Sequence, residues 1–230
     1  MGWMLLALLA CGPKTTPASA AAPVAPPTPA ETFAALERGD FATARLGLEH
    51  GIAVDPLNAE LYLQLTRLYA GSTQPVWALL YGEVFLLLEP YSPRSAEVSA
   101  LLVGVHGRLA RQAPRGGQGP FESALTQALT QALNDSGGRA DLAGIVAWRA
   151  ALPAALAEPD PLVDWHRDLQ DAGHLAAYSW WLLRAGDPEA FAAWAADHEG
   201  ALQDLRGFLN EQAFQPGRDG LVGRAAHPEG

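Results

Sequence analysis

Residues 36–93 read LERGDFATARLGLEHGIAVDPLNAELYLQLTRLYAGSTQPVWALLYGEVFLLLEPYSP. The stretch repeats itself at an offset of 34. Asp55-Pro56 recurs as Glu89-Pro90, Ala44 as Ala78, and Leu46 as Leu80. Glu49 recurs as Glu83, Ile52 as Leu86, and Val54 as Leu88. A fixed offset of that size marks a helix–turn–helix unit that buries its apolar side against its neighbours. Helical periodicity agrees. Leu57, Leu61, Leu65, Leu68 and Tyr69 recur on one side, with Glu60, Gln64 and Arg67 opposite. Asn58 supplies an N-cap just after Pro56. Residues 76–88 are apolar nearly all round, which requires burial on several sides. That segment is too short to span a bilayer and carries Glu83. Two such units cannot bury it alone, so the C-terminal half is expected to cover it.

These residues resemble the tetratricopeptide repeat over about residues 32–111. In the second unit Tyr62, Leu65 and Tyr69 occupy helix-A positions. Ala78 is the small residue of helix B, and Pro90 closes the unit. In the first unit Gly39-Asp40-Phe41 and Ala44 match the inter-helix turn and helix B, while helix A runs back into a Pro-rich segment and is eroded. Thr66 departs from the usual glycine, and Gly82 and Phe85 from the usual aromatic and alanine. Residues 93–111 suggest a third, poorly fitting unit. The resemblance implies a concave face lined by helix A, which makes Glu60, Leu63 and Arg67 the partner-binding candidates.

The other decisive stretch is LLAC at residues 8–11. The apolar run 4–10 has the length of a signal-peptide core and ends in a small residue before Cys11, the only cysteine. It resembles the lipobox of bacterial lipoproteins, which implies that residues 1–10 are a signal peptide and that Cys11 carries acyl chains. No Lys or Arg precedes the run, and Leu9 is larger than is usual there. Residues 11–30 form a Pro/Ala-rich tether, with prolines at 13, 17, 23, 26, 27 and 29. Stiffened toward polyproline II at about 3.1 Å per residue, it would reach roughly 60 Å. Gly12 after the cysteine resembles the outer-membrane-sorted kind.

In the second half, residues 112–119 read as a Gly-rich loop. Residues 120–213 read as a helical region and 214–230 as a flexible tail. Helices are expected over 121–133 and 140–157, the latter stopped or kinked near Pro153. Asp160-Pro161 and Asp187-Pro188 each place a capping carboxylate before a proline suited to the first helical turn. Further helices are expected over 174–184 and 199–212. Strand-like alternation is missing. The fold class is therefore all-α, with tetratricopeptide-like hairpins packed against a C-terminal helical bundle.

Composition narrows the function. The chain of 230 residues is 49% hydrophobic, enough for a sizeable core. Its net charge of −10, without a basic cluster, excludes the phosphate neutralisation that nucleic-acid binding needs. No phosphate loop, nucleophile elbow, dinucleotide fingerprint or zinc-protease motif is present. Asp160, Asp164 and Asp168 stand four residues apart with His166 and His174 nearby, a pattern that could suggest a metal. Asp160 is better used as a cap and Arg167 can pair with Asp164, so a solvated acidic face is the reading. Glu83 is the carboxylate expected to feel burial, in a structural or pairing role. No catalytic residue, cofactor or metal is expected.

The sequence thus predicts a lipid-anchored scaffold in the bacterial cell envelope. It would sit at the outer membrane, face the periplasm and bind a protein partner. The alternative is a small-ligand or cell-wall-related module in the Trp-rich C-terminal half, where tryptophans 148, 165, 180, 181 and 194 lie.

Overall fold

The computed structural model describes residues 25–111, 119–135, 137–139, 141–156, 160–218, 220 and 224. The signal-like run, Cys11 and most of the Pro-rich segment lie outside the described residues. The protein is all-α, and no strand occurs among those residues.

The first helix, α1 (Pro29–Arg38), stands where the sequence predicts an eroded helix A. A capping box makes it possible. The Thr28 hydroxyl accepts the Glu31 amide, the Glu31 carboxylate accepts the Thr28 amide, and Pro29 opens the first turn. Gly39, at φ +73°, ends it in the left-handed conformation that glycine adopts without a Cβ clash. Asp40 then caps α2 (Phe41–Val54), and Asn58 caps α3 (Ala59–Ala70). Leu57 precedes that cap and is exposed, so the α3 stripe begins at Leu61. Helices α4 (Val76–Leu88) and α5 (Pro93–Arg111) follow. Each of these five packs on its neighbour in sequence, most closely α3 on α4.

The second half opens with α6 (Pro120–Asp135) and α7 (Leu142–Ala155). Pro153 lies inside the last turn of α7 and does not end it. A proline there lacks an amide but leaves the final bond intact, and the Leu156 amide still donates to the Leu152 carbonyl. Arg167 donates to the Pro153 and Leu156 carbonyls, which the helix end leaves without partners. Asp160 caps α8 (Pro161–Asp171) and Asp187 caps α10 (Pro188–Asp197), both with proline at the start. Between them lies α9 (Leu175–Leu182), shorter than its sequence span, and α11 (Glu199–Gln212) follows. Helix α7 contacts α6, α8, α9 and α10. Phe214, placed by the sequence in a flexible tail, is buried with its ring 6.4 Å from that of Trp165.

One continuous core joins the halves. Its centre is α4, buried from Val76 through Leu86. Helix α6 reaches it through Phe121, whose ring lies 5.7 Å from Trp77. Gly82 allows a close approach on two sides. A Cβ there would lie 2.6 Å from Leu102 of α5 and 3.0 Å from Thr66 of α3.

Candidate functional site

The three partner-binding candidates do not share one exposed face. Leu63 is buried in the core, because its side of α3 turns inward. Glu60 and Arg67 stay at the surface, tied to α5. Arg94 donates to Glu60 and also to Glu89, while Arg67 holds Glu97 through two nitrogens at 2.8–3.1 Å. Such exposed pairs contribute little, because water and salt screen them.

The strongest concentration of chemistry is internal. Glu83 projects from the middle of α4 and is only 1% exposed. Three helices of the other half supply its partners. From α7, Arg149 Nη2 donates to Oε2 at 2.8 Å. From α8, His166 Nε2 lies 2.6 Å from Oε1, which accepts its hydrogen. From α9, the Tyr178 hydroxyl donates to the same oxygen at 2.7 Å. Arg149 Nε continues the chain to the Ser179 hydroxyl at 3.1 Å. Burial by itself pushes the Glu83 carboxyl up. The field of Arg149 and the two hydrogen bonds on Oε1 override it and hold the group well below the usual carboxylate range. Burial raises the Tyr178 phenol, and the Glu83 charge adds to it. The sequence marks Glu83 as needing a partner. It offers no signal for Arg149, His166 or Tyr178, which lie 66, 83 and 95 residues away.

His106 of α5 completes this interior. Its Nδ1 donates to the Leu102 carbonyl at 2.7 Å, and its ring meets Trp148 edge-on. Burial, reinforced by the Arg149 charge, lowers its pKa to about 3. The adjoining cavity, lined by Glu83, His106, Arg149 and His166, measures about 20 Å³. That is room for about one water. A carboxylate committed to three donors, beside a space of that size, cannot admit a substrate. What the cluster can do is bind the two halves of the core together.

The position 34 residues earlier tells the same story in weaker form. Glu49 accepts from Arg45 at 2.9 Å and from the Tyr69 hydroxyl at 3.0 Å, with Arg224 Nε 3.8 Å away. Burial pushes its carboxyl up, and these donors offset only part of that.

The acidic row of α8 divides. Asp160 is buried as the cap, accepting the Leu162 and Val163 amides, while Asp164 is exposed beside Arg167. His166 turns the other way, to Glu83. Among the described residues no group of three or more potential metal-binding side chains occurs. The tryptophans of this half are largely core. Trp148, Trp165 and Trp180 are buried, and Trp180 stacks on Trp194 at 5.2 Å, which stacks on His198 at 4.5 Å.

No protein-family model, curated protein or solved structure matches the chain. No described helix is long and apolar enough to cross a membrane.

Proposed function

We propose that the protein is a lipid-anchored scaffold of the bacterial cell envelope, built on tetratricopeptide-like hairpins, that works by binding another protein. Cys11 would carry the anchor, residues 12–28 would serve as the spacer, and the outer membrane would be the site of attachment, with the helices in the periplasm. These readings rest on the lipobox-like LLAC and the prolines after it.

The observation that carries partner binding is a difference between two helices related by the 34-residue offset. On α4, Leu80 is 3% exposed and Val84 is fully buried, because the second half lies over them. Their counterparts on α2 are Leu46 and His50, and no described element covers that side. Leu46 is 50% exposed and Val54 is 71% exposed. Phe41 and Leu57 are exposed at the two ends of α2, and Phe33 of α1 is also exposed. Exposed apolar side chains on α2 and the segments beside it support an interaction surface. They belong to the helices nearest the spacer, where an anchored protein would present them. Glu60 and Arg67 would act at its flank through their charges. Leu63 would act only by shaping α3.

A photo-crosslinking residue at position 46 or 54 tests this in the native envelope. Adducts with a discrete protein at both positions, and none from exposed Asp171, are expected. Their absence at 46 and 54 overturns the scaffold reading. Acyl labelling of the protein against Cys11→Ala tests the anchor separately, and an unlabelled wild type overturns it.

A further inference from the structure

Between α5 and the end of α9 lies a cavity of about 220 Å³ that shares no residue with the α2 face. Its apolar wall comes from Leu86 and Leu182, and its polar wall from Ser92, Ser95 and Ser99. Ser99 is 1% exposed, and its hydroxyl has no hydrogen-bond partner. Buried hydroxyls are ordinarily paired, and a serine inside a helix can satisfy itself on the carbonyl four residues back. Ser99 does neither and lines the cavity instead. Ser92, by contrast, donates to the Glu89 carboxylate, which Arg94 already neutralises, and Ser95 donates to the Ser92 carbonyl.

Arg184 stands in the same wall. It is half-buried, with its guanidinium 5.3 Å from the Tyr91 ring centroid and 5.0 Å from that of Trp181. Two of its nitrogens donate to the carbonyls of Trp181 and Pro90. A guanidinium has five N–H donors, so three remain. No carboxylate among the described residues pairs with it, in a chain whose acidic residues outnumber its basic ones, 25 to 15. The wall is rigid. The chain after Arg184 presses on α5 so closely that a Cβ on Gly186 would lie 3.0 Å from the Ser99 carbonyl.

A cation held by two carbonyls without a counter-charge, a buried free hydroxyl and a small apolar wall together select a monoanion attached to a short aliphatic group. A phosphate dianion would want a second cation. A drug-sized ligand would want a larger space. We propose that this cavity binds the free carboxylate end of a peptide whose last side chain is small and aliphatic. Arg184 takes the carboxylate, the Ser99 hydroxyl donates to a ligand oxygen, and Leu86 and Leu182 receive the side chain.

The probe is N-acetyl-Ala-Ala, titrated into the full chain by NMR or calorimetry. Saturable binding is expected, at least about tenfold weaker for the C-terminal amide, because the charge-assisted bonds are lost. Arg184→Gln should weaken binding by a similar factor. Ala96→Trp, at an exposed position on the cavity rim, should abolish it with the thermal midpoint unchanged. A carrier protein ending in Ala-Ala that competes identifies a protein tail as the source; competition by the short peptide alone identifies a free peptide. Absence of saturable binding up to about 10 mM overturns the proposal, a range that already includes weak sites. So does equal affinity for acid and amide, or full affinity in Ala96→Trp.

Discussion

Replacing Arg149 by methionine keeps an unbranched apolar stem and removes the charged guanidinium. Glu83 then stays in the core with its carboxyl deprived of the Nη2 bond at 2.8 Å, and Ser179 loses the Nε donor at 3.1 Å. Both members of the ion pair are almost completely buried, so solvent cannot substitute for the missing partner. Breaking such a pair costs about 3–5 kcal/mol, because an uncompensated charge is left behind. The pH dependence carries the sharper test. In the native protein the Glu83 carboxyl is held below its unfolded value. Its contribution is present above that value, about 4.3, and fades as the pH falls toward the folded pKa. Without Arg149, only His166 and Tyr178 oppose desolvation, the largest influence on this carboxyl, and the folded pKa is expected to rise above the unfolded one. The sign then reverses, and the variant loses stability as the pH rises through that raised pKa. Denaturant unfolding followed by tryptophan fluorescence, at pH 5 and pH 7, measures both effects. The deficit of Arg149→Met should shrink at pH 5. Adding Glu83→Gln should recover part of it, since neighbours that share a network couple by about 0.5–3 kcal/mol. A deficit under about 1 kcal/mol, or one that is constant with pH, would refute the view that Arg149 compensates a buried Glu83 charge.

Two further outcomes follow from the interior. Gly82→Ala should destabilise by about 1–3 kcal/mol despite alanine's better helix propensity, because Leu102 and Thr66 are sealed in the core and cannot retreat. A neutral or raised thermal midpoint would show that α4 and α5 are not held that close. His106, neutral in the folded state with a pKa of about 3, should make stability fall with acid. Between its unfolded value of about 6.5 and that pKa, only the unfolded chain binds the proton, at up to about 1.4 kcal/mol per pH unit. The unfolding free energy of His106→Met should therefore decline less from pH 6.5 to 5 than that of the native protein, and parallel profiles would refute it.

The local devices were legible in the sequence because each acts within a turn of chain. Asn58, Asp160-Pro161 and Asp187-Pro188 start helices where their chemistry predicts. The apolar run over Val76–Leu88 emerged with its boundaries intact. The first helix begins for an equally local reason. A capping box at Thr28 and Glu31 with Pro29 between them starts a helix inside a proline-rich segment, a signal that spacing between distant repeat positions does not carry.

Periodicity could say that Leu46 and Leu80 occupy equivalent helix positions. It could not say that one is open to solvent and the other sealed. That depends on which elements fold back over α4 and stop short of α2. It could likewise require a partner for Glu83, since a carboxylate in an apolar helix needs one. Naming Arg149, His166 and Tyr178 took the packing of α7, α8 and α9, because hydrogen bonds across 66 to 95 residues leave no spacing in the chain. The sequence alone determined the all-α class, the helix starts and the need for burial of α4. The tertiary structure alone decided which charges met inside, which apolar face stayed open and where a cavity remained, because those follow from how helices cover one another and not from the period of any one of them.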